Sequence, residues 1–390
     1  MRPFLLLYMP YPMYVKKVLI FSLSYYPDFV GGAEVALKEI TDRISDVEFH
    51  MVTLRYKKSL PKISKEGNVL VHRIGFANTG KLNKFTFQFS AALKALSLHK
   101  KYKYDAVWAM MAHSTGVPAG LFKTFKPKVP YVLTLQEGDP IPHIERTMRP
   151  LWPLFVRGFK KADVIQAIST FLGKWARARG FKGQLEIIPN AVNTKKFAGE
   201  PIAHEGTILI TTSRLVHKNA VDDVINALLC LTQNIKFQIL GSGPLEADLK
   251  ALVKKLNLES RVEFLGNIPN PELPRYLHAA DIFIRPSRSE GMGNSFVEAF
   301  AAEIPVIATQ EGGISDFLFD AKRNPEKPTT GWAVDKNSPE QIAEAVKDIL
   351  ANPEKVKKVT ETAKVMAFEK YDWDLIAKNM REKVFGRVGV

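Results

Sequence analysis

"TILITTSRLVHKNAVDDVINALLCLTQNIKFQILGSG", residues 207–243, sets an apolar, β-branched run (TILIT) before a helical pattern (AVDDVINALLCL) and a second apolar run (KFQILG) that ends in glycine. The alternation continues through LEADLKALVKKL, RVEFLG, PELPRYLHAA, DIFIRPS, SFVEAFAA and PVIAT, which reads βαβαβαβαβ. Strands without a polar face are covered on both sides, and helical crossovers make neighbouring strands parallel. The unit is therefore a doubly wound parallel sheet, with its ligand crevice at the carboxyl ends of the strands.

The first half repeats the style in KVLIFSL, EFHMVTL, VLVHRIG, AVWAMM, YVLTLQ and DVIQAIS. A chain of 390 residues exceeds what one core usually organises and divides into units of roughly 180 residues. The expected architecture is α/β, with two Rossmann-like domains facing a cleft. Residues 16–200 form the first and 201–367 the second, joined near IIPNAVNTKKFAGEPIAHEG, where Pro, Gly and polar residues collect. Residues 368–390, an amphipathic helical pattern, follow the second domain and are expected to cross back and brace the first. No internal repeat is found.

Composition excludes several classes. With 46% apolar and 24% charged residues the chain is globular rather than disordered. Its single cysteine, Cys230, permits no intrachain disulfide and suits a reducing cytoplasm. Residues 4–15, FLLLYMPYPMYV, are broken by Pro10 and Pro12, too short to span a bilayer, and without a small-residue cleavage site. Residues 1–15 are read as a loose extension, a membrane-touching leader or a mis-called start.

The net charge of +15 is unevenly shared: residues 1–200 hold 31 Lys+Arg against 14 Asp+Glu, and residues 201–390 hold 24 against 26. Residues 51–100 carry ten basic residues and one acid, with Phe85, Phe87 and Phe89 among Lys81, Lys84 and Lys94. This is either a solvated face around core phenylalanines or a surface that meets anionic lipid headgroups or a phosphate-bearing acceptor. Basic residues spread over many elements, without a recognised motif, do not make a nucleic-acid-binding protein.

Three strand ends run into glycine-containing loops before helices: SYYPDFVGGAEVALKEI, GSGPLEADL and QEGGISDF. Backbone free of side chains can approach a phosphate there, and a helix N-terminus adds oriented N–H donors. Glycine is equally the residue of tight turns, and none of the three is a strict G-x-G-x-x-G or a P-loop.

The ordered set SRLVHKNAVDDVINAL, ILGSGPLEADL, VEFLGNI, AADIFIRPSRSEGMGNSFVEAFAAEIPVIATQEGG and GWAVDKNSPEQIAEAV closely resembles the donor domain of retaining glycosyltransferases of family 4 (group 1), which have the GT-B fold. YYPDFVGGAE, ADVIQAIST and IIPNAVNTKKF stand in the order that family shows, so the resemblance spans roughly residues 17–385. It implies an enzyme that moves a sugar from a nucleoside diphosphate to an acceptor hydroxyl, without metal or other cofactor. The acceptor it suggests is lipid-linked or a polysaccharide, met at the cytoplasmic face of a membrane.

The resemblance assigns residues as follows. Arg214 and Lys218 meet the diphosphate, whose leaving charge has to be stabilised. Glu290 lies beneath the donor sugar and its anomeric carbon. Gly291, Met292, Gly293 and Asn294 offer backbone N–H groups, and Glu298 binds the ribose hydroxyls. Gly31, Gly32, Gly241, Asn267 and Ile268 complete the donor site, and Glu34, His113 and Gln136 face the sugar or acceptor. Glu298 has a second reading, since Ser295-x-x-Glu298 is also a capping box. The chain departs from the family at Asn219, where a lysine is more usual, and at Gln136, where many relatives have histidine. It departs again at Ala191, which would be strained if the usual glycine there needs positive φ. Two other classes remain in view, a GT-B nucleotide-sugar epimerase or phosphorylase and a non-enzymatic sugar-nucleotide or envelope-binding protein.

Overall fold

The structure is a computed structural model in which residues 14–390 are described, so most of the stretch 1–15 lies outside it. Among the described residues, the first sheet has eight strands: β1 (Lys16–Phe21), β2 (Val47–Leu54), β3 (Ile63–Glu66), β4 (Val69–Ile74), β5 (Ala106–Met110), β6 (Tyr131–Leu135), β7 (Val164–Ala167) and β8 (Gln184–Ile187). Their order is β3-β4-β2-β1-β5-β6-β7-β8, all parallel except β3. The second sheet has six: β9 (Thr207–Thr212), β10 (Ile235–Leu240), β11 (Val262–Gly266), β12 (Ile282–Arg285), β13 (Val306–Ala308) and β14 (Trp332–Ala333). They run β11-β10-β9-β12-β13-β14, all parallel.

The central strands β5 (AVWAM) and β6 (YVLTL) are buried at every position, as strands covered on both faces must be. The three strands that the apolar runs do not announce are β3, β8 and β14. β3 (ISKE) is an antiparallel edge with exposed or half-buried residues, β8 (QLEI) is a half-buried edge, and β14 has two residues. Edge strands keep one side wet, and so lack the continuous apolar signature.

The C-terminal segment returns to the first domain. Trp373, Ile376, Met380, Val384 and Phe385 share one core cluster with Phe49 and Trp108, and the Phe385 ring centroid lies 5.2 Å from that of Trp108. Ion pairs Arg43–Asp374 and Arg381–Asp46 fasten the outer side. Both sheets thus present the carboxyl ends of their strands to one cleft, with the linker and this returning segment beside it.

Candidate active site

The cleft holds about 860 Å³, and Gly31, Gly32, Glu34, His113, Gln136, Arg214, Lys218, Glu290, Gly291, Met292, Gly293, Asn294 and Glu298 all line it. Gly241, Asn267 and Ile268 stand at the ends of β10 and β11 and are not among its lining residues. A Cβ on Gly241 would fall 1.9 Å from the Ser213 carbonyl oxygen, so close backbone packing accounts for that glycine.

The same test separates the three glycine loops. Cβ atoms on Gly312 and Gly313 would meet the carbonyl oxygens of Glu290 and Gly291 at 2.0 and 1.9 Å, so QEGGISDF is a platform beneath the Glu290 loop. At Gly31 the obstruction is Glu34, whose carboxylate accepts the Gly31 N–H at 3.0 Å and the Ser24 hydroxyl at 2.5 Å. Around Gly32 nothing stands within 4 Å of an added Cβ. No neighbouring atom excludes a side chain there, and the open space belongs to the cleft.

On the wall of the first domain, β5 and β6 end against each other. The buried Glu137 carboxylate accepts the Ala112 N–H (2.6 Å) and the Gln136 N–H (3.0 Å), and His113 Nδ1 stands 3.3 Å from its Oε1. Gln136 and Asn190 exchange amide hydrogen bonds of 3.0 and 3.1 Å, which ties this strand end to the linker. Ala191 is buried and is not among the positive-φ residues, so the strain anticipated there does not arise.

On the opposite wall, the Lys218 ammonium donates to the Gly138 carbonyl at 2.8 Å and pairs with Asp139 at 3.3 Å, while Arg214 is exposed to the cleft. Asn219, at the position of the more usual lysine, is buried and bridges: its amide donates to the Arg214 carbonyl (2.7 Å) and accepts from Arg285 (3.2 Å).

Glu290 follows β12 by five residues and is 8% exposed. One oxygen accepts the Gly291 N–H at 2.9 Å and the other is ion-paired with Arg285. The helix Asn294–Ala301 opens after Gly293, which takes φ 88° and supplies no side-chain cap. The capping box read at Ser295 is therefore absent: the Ser295 hydroxyl accepts from Arg285 at 2.8 Å instead, one residue inside the helix. Glu298 is free to face the cleft, where burial pushes its carboxyl up to about 7 against the lowering effect of Lys196 and Arg285. Among the described residues no group of three or more His, Cys, Asp or Glu could hold a metal ion.

Arg285 and Glu137 are site residues that no motif in the sequence marks. An arginine as the last residue of an otherwise apolar strand was the available signal for the first.

Two Rossmann-like domains whose strand ends face one cleft, with the C-terminal helix crossing back, are the GT-B architecture. The fold is shared, with a TM-score of 0.81 at 18% identity over 96% of this chain and 99% of the other, with a sucrose-phosphate synthase from Thermosynechococcus elongatus. It is shared also with HepE from Anabaena, solved in complex with UDP and glucose (TM-score 0.74, 19% identity, covering 95% and 99%). The chain belongs to the group 1, family 4 glycosyltransferases: residues 30–196 match Glycosyltransferase Family 4 and residues 192–366 match Glycosyl transferases group 1. It is 26% identical over 371 residues to an uncharacterized glycosyltransferase of Methanocaldococcus jannaschii, covering 95% of this chain and 98% of that protein. It is 29% identical over 247 residues to the GDP-mannose-dependent alpha-(1-6)-phosphatidylinositol monomannoside mannosyltransferase of Mycolicibacterium smegmatis, covering 58% of this chain and 63% of that one.

Proposed function

We propose that this glycosyltransferase takes a sugar from a nucleoside diphosphate, binds that donor in the cleft described above, and transfers the sugar with retention to a hydroxyl of a glycolipid or polysaccharide precursor. The observation that carries the reading is the convergence on one cleft of a buried carboxylate, Glu290, with the cations Arg214 and Lys218 and a glycine-rich strand-to-helix turn. The cations are suited to the leaving diphosphate, since fixed charges aimed where negative charge develops lower the barrier most. Glu290 lies beneath the sugar and stabilises its oxocarbenium-like centre, while Glu298 receives the ribose hydroxyls. Support comes also from the names of similar proteins, one solved with UDP and glucose and one acting on a phosphatidylinositol mannoside.

The acceptor side would lie near a membrane surface on the cytoplasmic side. Among the described residues no helix is long and apolar enough to cross a bilayer. The helix Lys81–Tyr102 nevertheless exposes Leu82 (68%), Phe85 (48%), Phe89 (38%) and Leu93 (68%) beside Lys81 and Lys84, and only Phe87 of its three phenylalanines is core. A cationic helix with an exposed apolar stripe suits an anionic interface.

The test is slow donor hydrolysis followed by NMR. UDP- and GDP-sugars are offered without acceptor and the anomer first released is identified. Release of the donor's own anomer, abolished in Glu290→Gln, is expected; an inverted product, or undiminished release by the variant, would overturn the reading.

A further inference from the structure

Arg285 has no part in the mechanism just proposed, yet it is the centre of the site's buried polar network. It is the last residue of β12, 8% exposed, and lines the cleft. Its guanidinium is held by Ser295 Oγ at 2.8 Å, by Asn219 Oδ1 at 3.2 Å and by the carboxylate of Glu290, with the Phe296 ring centroid 5.2 Å away. Its Nε is buried without a partner. Burying a guanidinium is costly unless a carboxylate matches it, and the carboxylate that does so is Glu290.

The arrangement fixes more than charge. Glu290 Oε1 takes the Gly291 N–H and Oε2 takes Arg285, so two donors on different oxygens set the plane of the carboxylate. Arg285 cannot swing, because Ser295 anchors one arm and Asn219 the other, and Asn219 is itself tied to the Arg214 backbone. A planar fork restrained at two points orients its partner in a way that a flexible lysine does not. A carboxylate that rotated away would lose its stabilising effect on positive charge at a sugar carbon.

We propose that Arg285 is a positioning residue for Glu290: it holds the carboxylate aimed into the cleft, acting on the reaction through Glu290 and not by touching the donor. The proposal rests on the donor-site reading given above.

The experiment measures kcat and KM for donor hydrolysis, nucleoside diphosphate affinity and melting temperature. The variants are Arg285→Met, Arg285→Lys, Ser295→Ala and the double variant Asn219→Lys/Arg285→Met. Arg285→Met is expected to lower kcat about 100-fold while donor KM and nucleotide affinity stay within about threefold. Arg285→Lys restores part of the rate. The double variant also restores part of it, since the side chain at 219 ends 3.2 Å from the lost guanidinium. If Arg285→Met does not fold, Ser295→Ala carries the test: it releases one arm and is expected to reduce kcat about threefold to tenfold at unchanged nucleotide affinity. A wild-type kcat in Arg285→Met, or in Ser295→Ala where that variant carries the test, overturns this inference alone. Losses that track melting temperature, without rescue from a lysine at 219, also overturn it. A wild-type protein that neither binds a nucleoside diphosphate nor hydrolyses a donor overturns the donor-site reading, and this inference with it.

Discussion

The carbonyl oxygen of Glu137, in the first domain, stands 2.4 Å from the place a Cβ would occupy on Gly291, in the second. The two domains meet there backbone to backbone. The Gly138 Cα lies 3.4 Å from the same point, and a Cβ on Gly138 would itself stand 2.9 Å from the Lys218 ammonium and 3.2 Å from Glu290 Oε1. Neither loop has room for a methyl group, so Gly291→Ala must push the β6 loop away from the turn that carries Glu290. Misplacement of this kind is expected to reduce kcat about tenfold to 100-fold, with a melting temperature within a few degrees of wild type. Steady-state rates beside thermal melts check it; an unchanged kcat would show that this closure is not needed for turnover.

Glu298 makes the site sensitive to pH. Burial raises its carboxyl from the ordinary 4.5 to about 7, so between those values the folded protein holds a proton that the unfolded chain has released. Its contribution to stability is full below about 4.5 and disappears as pH rises through about 7. Glu298→Gln should therefore melt higher than wild type at pH 8 and match it near pH 4.5. In the proposed donor site an ionised carboxylate at 298 has the capacity to accept from two ribose hydroxyls, and a protonated one gives up part of that capacity. Nucleotide affinity should accordingly weaken more between pH 8 and pH 6 in the wild type than in Glu298→Gln, which keeps only the loss due to protonation of the ligand's terminal phosphate. Calorimetric titration across this range measures both proteins.

The returning C-terminal helix is held by packing more than by charge. Phe385 is fully buried against Trp108 and Phe49, whereas the Arg43–Asp374 and Arg381–Asp46 pairs are exposed. Phe385→Ala should cost about 3–5 kcal/mol in urea unfolding, and Asp46→Ala less than about 1 kcal/mol.

The fold was legible because both sheets are buried on two faces, and runs such as AVWAM and DIFIRPS announce such strands. The wet edges β3 and β8 were not legible, for the same reason. At the site, spacing brought Glu290 and Glu298 to one turn and helix, and Lys218 reaches the cleft despite the shifted register. Glycine was ambiguous in sequence: Gly32 leaves space for a ligand, while Gly241, Gly312 and Gly313 make way for backbone two elements distant, and only coordinates separate these uses. Glu137 is hidden in the sequence because its partners Ala112 and His113 are remote, and Arg285 because no motif marks a cation that meets Glu290, Ser295 and the distant Asn219 at once.

The proposed nucleoside-diphosphate-sugar site lies between Arg214 and Glu298. The most direct measurement is the melting temperature of the purified protein with UDP, GDP, ADP and TDP, each with and without a chelator, repeated on Arg214→Ala and Glu298→Ala. A ligand that binds only the folded state raises the melting point. One nucleotide is expected to stabilise the wild type with chelator present, and both substitutions are expected to remove the shift. No shift with any nucleotide, or a shift that requires a divalent ion or survives both substitutions, would contradict the proposed site.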